Sequence, residues 1–176
     1  KLLATADVFV ENFRDSSLKG MGADLDELHR HYPKLIVASH KGFLHGPYQN
    51  RTAMDEVVQM MTGLAYMTGP TGRPLRVGSS ANDIMAGLFG AVGVMGALME
   101  RDRTGEGRHL RIGLFENCLV LVAQHMIQFE LTGHAAPPMP ERDFSWPVYD
   151  IFETDDGRPI FVGAVTDGQW HSLCKL

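Results

Sequence analysis

The segment from Asp83 to Arg103 constrains this chain more than any other. Its apolar run, residues 84–99, carries glycine at positions 87, 90, 93 and 96. The composition between turn signals reads as one long helix. A glycine inside a helix costs about 1 kcal/mol relative to alanine. Four of them at a spacing of three therefore need a packing reason, such as a second backbone or a flat ligand lying close. The run falls short of the ~20 apolar residues that span a bilayer, so the expectation is a buried helix of a soluble protein and no membrane segment.

Asp83 stands where this helix begins. Aspartate is a preferred N-cap, because its carboxylate satisfies backbone N–H groups left free in the first turn. That is its commoner role. The alternative is a nucleophile: the positive helix end favours the anion, and carboxylates can act as covalent nucleophiles in acyl transfer. Ser80 could then cap the helix and leave Asp83 free.

Upstream, residues 6–11 and 35–39 read as short buried strands, with a helix over residues 24–31 between them, capped by Asp24 and closed by Pro33. Strand, helix, strand at this spacing predicts a parallel βαβ unit. Residues 54–66 read as a helix, 109–114 as a third strand, and 115–131 as a long helix stopped by Gly133. Met54, Met60, Met61 and Met67 read as core packing. Beyond residue 133 the rhythm changes. Residues 134–147 hold four prolines and read as a linker,. Residues 148–162 read as a β-hairpin turning at Asp155-Asp156-Gly157. The domains are therefore residues 1–133 and 148–176, joined by 134–147.

In an α/β sheet, ligands bind beyond the carboxyl ends of the strands. Asn12 and Arg14 follow the first strand, and Lys41 follows the second. With Arg51 on the next loop, Arg14 and Lys41 could line a basic pocket. The 176-residue chain has a formal net charge of −5, and its 16 Lys and Arg are scattered. That argues against a nucleic-acid partner while leaving room for a local phosphate site. Cys118 and Cys174 match no metal or redox spacing, and the eight histidines form no metal pattern,. Asp55 and Glu56 open a helix, where paired acids usually complement the dipole; general acid/base work is the lesser reading. The chain opens inside an element, without methionine, and ends within a helix, as a piece of a longer protein would.

Taken in order, the motifs resemble the class III CoA-transferases, the formyl-CoA transferase and carnitine CoA-transferase (CaiB/BaiF) family. The matching stretches are ADVFVENFR (6–14), the run from Pro33 to Tyr48, Asp55 to Gln59 leading to Gly63 and Thr68-Gly69, Asp83 to Gly87, and Ala97 to Gly107. The resemblance implies an α/β fold: a Rossmann-like parallel-sheet large domain, partial here, the start of a small α+β domain, and an interlocked homodimer. It implies a cytoplasmic enzyme that moves coenzyme A from an acyl-CoA to a small carboxylic acid without a metal. Asp83 matches the catalytic aspartate, and Asp55 an acidic position beside it. Asn12, Phe13 and Arg14 match the segment that holds the nucleotide portion of CoA.

Residues 54–70 look closest to the dicarboxylate branch, which includes mesaconyl-CoA transfer. The related α-methylacyl-CoA racemases carry a His-Asp pair where this chain has Met54-Asp55, which argues against racemase chemistry. Asp15 replaces the proline common after the NFR element. A non-catalytic CoA-binding module is the remaining alternative.

Overall fold

The computed structural model describes residues 2–142, 146 and 148–176. These divide into two compact units, Lys1–Pro140 and Glu141–Leu176.

The first unit is built on three parallel strands in the order β1 (Val8–Glu11), β2 (Ile36–Lys41), β3 (His109–Gly113). Val8 pairs with Ile36 and Glu11 with Ser39; Val37 pairs with His109 and Lys41 with Gly113. This register brings the carboxyl ends of all three strands to one edge. β2 lies between two neighbours, and Ile36, Val37, Ala38 and Ser39 are buried along it. An apolar run without alternation is what a parallel strand covered on both faces requires.

Two short helices link β1 to β2: α1 (Asp15–Gly20), which the sequence reading did not anticipate, and α2 (Leu25–His31). Asp24 caps α2 by accepting from the N–H groups of Asp26 and Glu27. Between β2 and β3 come α3 (Asp55–Thr62), α4 (Leu64–Thr68) and the 24-residue α5 (Ala81–Thr104). The single helix expected over residues 54–66 is two. Gly63 adopts φ +86°, a left-handed conformation that ends α3 and turns the chain into α4,. α6 (Leu114–Thr132) follows β3 directly and stops at Gly133, φ +72°.

α5 packs on β2 and β3 through Ala86, which meets Ala38 and Ile112 in the core. Its other side stays open. Ile84, Leu88, Val92, Met95 and Met99 are 59–71% exposed, so the expected burial of this helix is met on one face alone. By length and composition α5 is the one helix among the described residues that could cross a membrane. Met54, Met60 and Met61, expected in the core, are exposed as well.

The second unit contains a hairpin of β4 (Val148–Glu153) and β5 (Pro159–Ala164), antiparallel with Val148 opposite Ala164, and a closing helix, α7 (Asp167–Leu173). Within the segment expected as a linker, Met139–Glu141 forms a 3-10 turn; Asp143, Phe144, Ser145 and Pro147 lie outside the described residues, as does Lys1.

Candidate active site

Asp83 is the third residue of α5, and it does not cap that helix. Ser80 occupies the N-cap position, but its side chain makes no capping bond. The cap comes from another helix. Asp55, the first residue of α3, is 3% exposed. Its Oδ2 accepts from the backbone N–H of Asn82 at 2.8 Å and of Asp83 at 3.1 Å. Its Oδ1 accepts from the Gln59 side-chain amide. Gln59, one turn along α3, is oriented in turn by the N–H of Val77, which donates to its Oε1 at 2.8 Å. Asp55 is thus an acceptor on both oxygens, and the Asp83 side chain is left free of the helix end.

That freedom has an electrostatic consequence. Asp83 remains exposed to solvent; partial desolvation against the cavity wall, followed by repulsion from the Asp55 and Glu56 carboxylates, raises its carboxyl above the ordinary value. The helix end, which by itself favours the anion, faces a buried carboxylate already seated on its N–H groups. Asp83 is a more basic carboxylate than its position in the sequence implies.

Asp83 opens onto a cavity of about 640 Å³ lined also by Asn12, His40, Lys41, Asp55 and Gly87. Gly87 lies one turn beyond Asp83, and a β-carbon there would meet nothing within 4 Å. The glycine series thus divides. At Gly90 a β-carbon would lie 2.7 Å from the His40 ring, whereas at Gly96 the space is open. Close packing accounts for Gly90 and, more loosely, for Gly93 against Leu110.

A second cavity of about 450 Å³ adjoins the first, sharing Asn12, His40, Lys41, Gly42 and Ala53. Phe13, Arg14, Asp15, Arg51 and Arg111 are among the residues that line its remainder. The structure therefore brings the NFR corner, Lys41 and Arg51 together at the carboxyl edge of the sheet. Arg14 donates to the Thr52 hydroxyl, and the Arg51 guanidinium stacks over Tyr48 at 4.6 Å. Both keep their positive charge uncompensated by any carboxylate in these contacts.

Lys41 differs. Its side chain is 8% exposed, and the ammonium lies 2.9 Å from Glu11, 2.8 Å from Asp15 and 2.6 Å from the carbonyl of Phe13. Glu11 also accepts from the N–H of Phe13 at 2.8 Å. Lys41 is thereby committed to tying the NFR corner to β2.

Sequence reasoning left His40, Gln59 and Arg111 out of the site. Gln59 was within reach, since residues four apart share a helix face. Arg111 is marked only as a charged residue in the middle of β3. His40 neighbours Lys41 on a strand, so alternation hid it.

Known proteins resemble this chain over its whole length. The model of CoA-transferase family III matches residues 1–176. The chain belongs to CoA-transferase family III. It is 33% identical to an acetyl-CoA:oxalate CoA-transferase of Acetobacter aceti, over all of this chain and 46% of that protein. It is 29% identical to a succinyl-CoA:mesaconate CoA-transferase of Haloarcula hispanica, over 99% of this chain and 45% of that one. A solved CaiB/BaiF family protein from Brucella suis superimposes with a TM-score of 0.87 at 31% identity, covering 99% of this chain and 46% of its own. The family III chain described here thus spans just under half the length of these relatives.

Proposed function

We propose that the complete protein transfers CoA from an acyl-CoA to a small carboxylic acid, with Asp83 as nucleophile. The observation that carries this reading is the pair of adjoining cavities. One holds a free carboxylate of raised basicity, and the other presents Arg14 and Arg51 beside Asn12 and Phe13. A nucleotide thioester has that polarity: phosphates at one end, an electrophilic carbonyl at the other.

A carboxylate oxygen of Asp83 adds to the thioester carbonyl carbon. The C–S bond breaks, CoA leaves as thiolate, and the acyl group stays on Asp83 as a mixed anhydride. The thiolate attacks the Asp83 carbonyl carbon, releasing the donor acid and leaving an aspartyl-CoA thioester. The acceptor carboxylate repeats both steps in reverse, so the thioester energy is conserved and Asp83 is regenerated. Asn12, Phe13, Arg14 and Arg51 hold the nucleotide portion; Lys41 and Asp55 position the corner and the nucleophile.

The names of the relatives, which include oxalate and mesaconate transferases, support a dicarboxylic acceptor. The reading takes the protein as a cytoplasmic homodimer that uses no metal and binds neither nucleic acid nor membrane.

Incubation of the full-length protein with acyl-CoA and hydroxylamine should convert Asp83 to its hydroxamate, identified by peptide mapping. An unmodified Asp83, with full activity in Asp83→Ala, would overturn the proposal. A second reading, acyl-CoA racemisation, draws on His40, which lines the same cavity as Asp83. Deuterium exchange at the substrate α-carbon without any acceptor acid would favour it.

A further inference from the structure

Asp15 carries its carboxylate into the cavity that holds Arg14 and Arg51. One oxygen lies 2.8 Å from the Lys41 ammonium, the other 3.4 Å from the Arg111 guanidinium. Lys41 does not depend on it, because Glu11 already meets that ammonium at 2.9 Å and is itself buried. Arg111 is another matter: among the described ion pairs, Asp15 is its partner. The Asp15 side chain is 53% exposed, against 8% for Lys41. A buried pair, Glu11 and Lys41, therefore holds the corner, and a solvent-reachable carboxylate sits across two cations at its mouth. The Lys41 hydrogen bond, reinforced by Arg111, keeps that carboxyl below its ordinary range, so it is charged at neutral pH.

We propose that Asp15 is an internal counter-ion, which holds the anion position at Arg111 and is displaced when a ligand phosphate enters. This rests on the reading of the cavity as a nucleotide site and adds a residue that sets its selectivity. With Asp15 in place the Lys41–Arg111 side of the cavity is neutral. A phosphate must compete for Arg111, and a dianion competes better than a monoanion. Release from Arg111 costs little, because that pair is 3.4 Å apart and both its side chains are in reach of solvent,, and the buried Lys41 keeps Glu11 as its partner. The carboxylate thus sets a threshold: ligands with a terminal phosphate monoester pass it, and ligands with only phosphodiester charge bind less well. Dephospho-CoA, which lacks the monoester, should be the poorer ligand.

The test uses the full-length protein and two probes, CoA and inorganic pyrophosphate, by isothermal titration calorimetry. Asp15→Asn should bind both about three- to tenfold tighter than wild type, the size expected for removing one competing charge from exposed pairs. The gain should vanish in Asp15→Asn/Arg111→Gln, and the preference for CoA over dephospho-CoA should narrow in Asp15→Asn. Unchanged or weaker pyrophosphate binding in Asp15→Asn would overturn the proposal, as would a gain that survives loss of Arg111. Failure of wild type to bind CoA at all would instead count against the nucleotide reading, with the pyrophosphate comparison still deciding the role of Asp15.

Discussion

The Oδ2 of Asp55 accepts a hydrogen bond from the backbone N–H of Asp83 at 3.1 Å, so one acid caps the helix that presents the other. The orientation of Gln59 makes this exclusive to an acceptor: its Oε1 is taken by Val77, and its Nε2 must donate to residue 55. Asp55→Ala leaves two N–H groups and a side-chain amide without that partner. A loss of about 2–4 kcal/mol is expected, at roughly 1 kcal/mol for each hydrogen bond lost and more for a donor left buried. Asp55→Asn retains one acceptor oxygen but turns a donor toward Gln59 or the helix end, so it should lose less. Thermal unfolding of both variants, read beside kcat and KM, checks this. A kcat loss in Asp55→Asn without lowered stability would point instead to direct proton transfer by Asp55.

The raised Asp83 carboxyl gives a pH signature. Its causes are partial desolvation, then Asp55, then Glu56. A nucleophile must be deprotonated, so activity should fall on the acid side at a higher pH than an ordinary aspartate would set. Glu56→Gln removes one repelling charge and should move that limb to lower pH. The stability sign runs oppositely. A carboxyl raised in the folded state favours folding below its unfolded value and loses that contribution as pH rises through the folded value. At neutral pH Asp83→Asn should therefore be inactive yet at least as stable as wild type, and the difference should shrink in acid. An acid limb unmoved by Glu56→Gln would remove the electrostatic account.

The glycines of α5 separate by experiment as they do by geometry. Gly96→Ala meets open space and should gain up to about 1 kcal/mol of helix stability. Gly90→Ala must push the His40 ring aside, since its β-carbon would lie 2.7 Å from that ring. It should lose stability and disturb the wall shared by both cavities. Gly87→Ala is the informative case. No protein atom opposes it, so stability should hold or rise, while a ligand lying against the helix beside Asp83 would be excluded. Raised KM for acyl-CoA with undiminished thermal stability is the expected result; unchanged kinetics would leave Gly87 without a ligand role.

Much of this was written locally. The Asp24 cap and the Gly133 stop follow from short-range rules, because each depends on residues within one turn; the βαβ start follows from the order of strand, helix and strand along the chain. Asp83 as a free carboxylate is legible only as the alternative to a cap, because what frees it is neither Asp83 nor Ser80 but a residue 28 positions away whose side chain takes the cap. The same holds for Lys41. Its position after a strand predicts proximity to a phosphate, but not that Glu11 and Asp15 have already claimed its charge. Gly63 is visible as a glycine in a helical pattern, yet its left-handed turn is a tertiary choice that lets α4 leave the line of α3. Periodicity also says that a face is apolar without saying what covers it, which is why Met60 and Met61 read as core and stand exposed.

The outer face of α5 leads to the last expectation. Ile84, Leu88, Val92, Met95 and Met99 form one stripe at helical spacing, and all are more than half exposed. A stripe of this kind on a helix anchored to the sheet marks an interaction surface. The segment expressed as residues 1–176 should associate with concentration, by sedimentation velocity, and Val92→Glu with Met95→Glu should suppress that association without unfolding it, because neither side chain contributes to the buried core. In the full-length protein the same pair should either weaken self-association or lower the soluble yield, according to whether a second subunit or the rest of the chain covers the stripe. A segment that stays monomeric at every concentration, with far-UV circular dichroism matching its helices, would show that the stripe drives no association in water and would turn attention to lipid, tested by vesicle flotation.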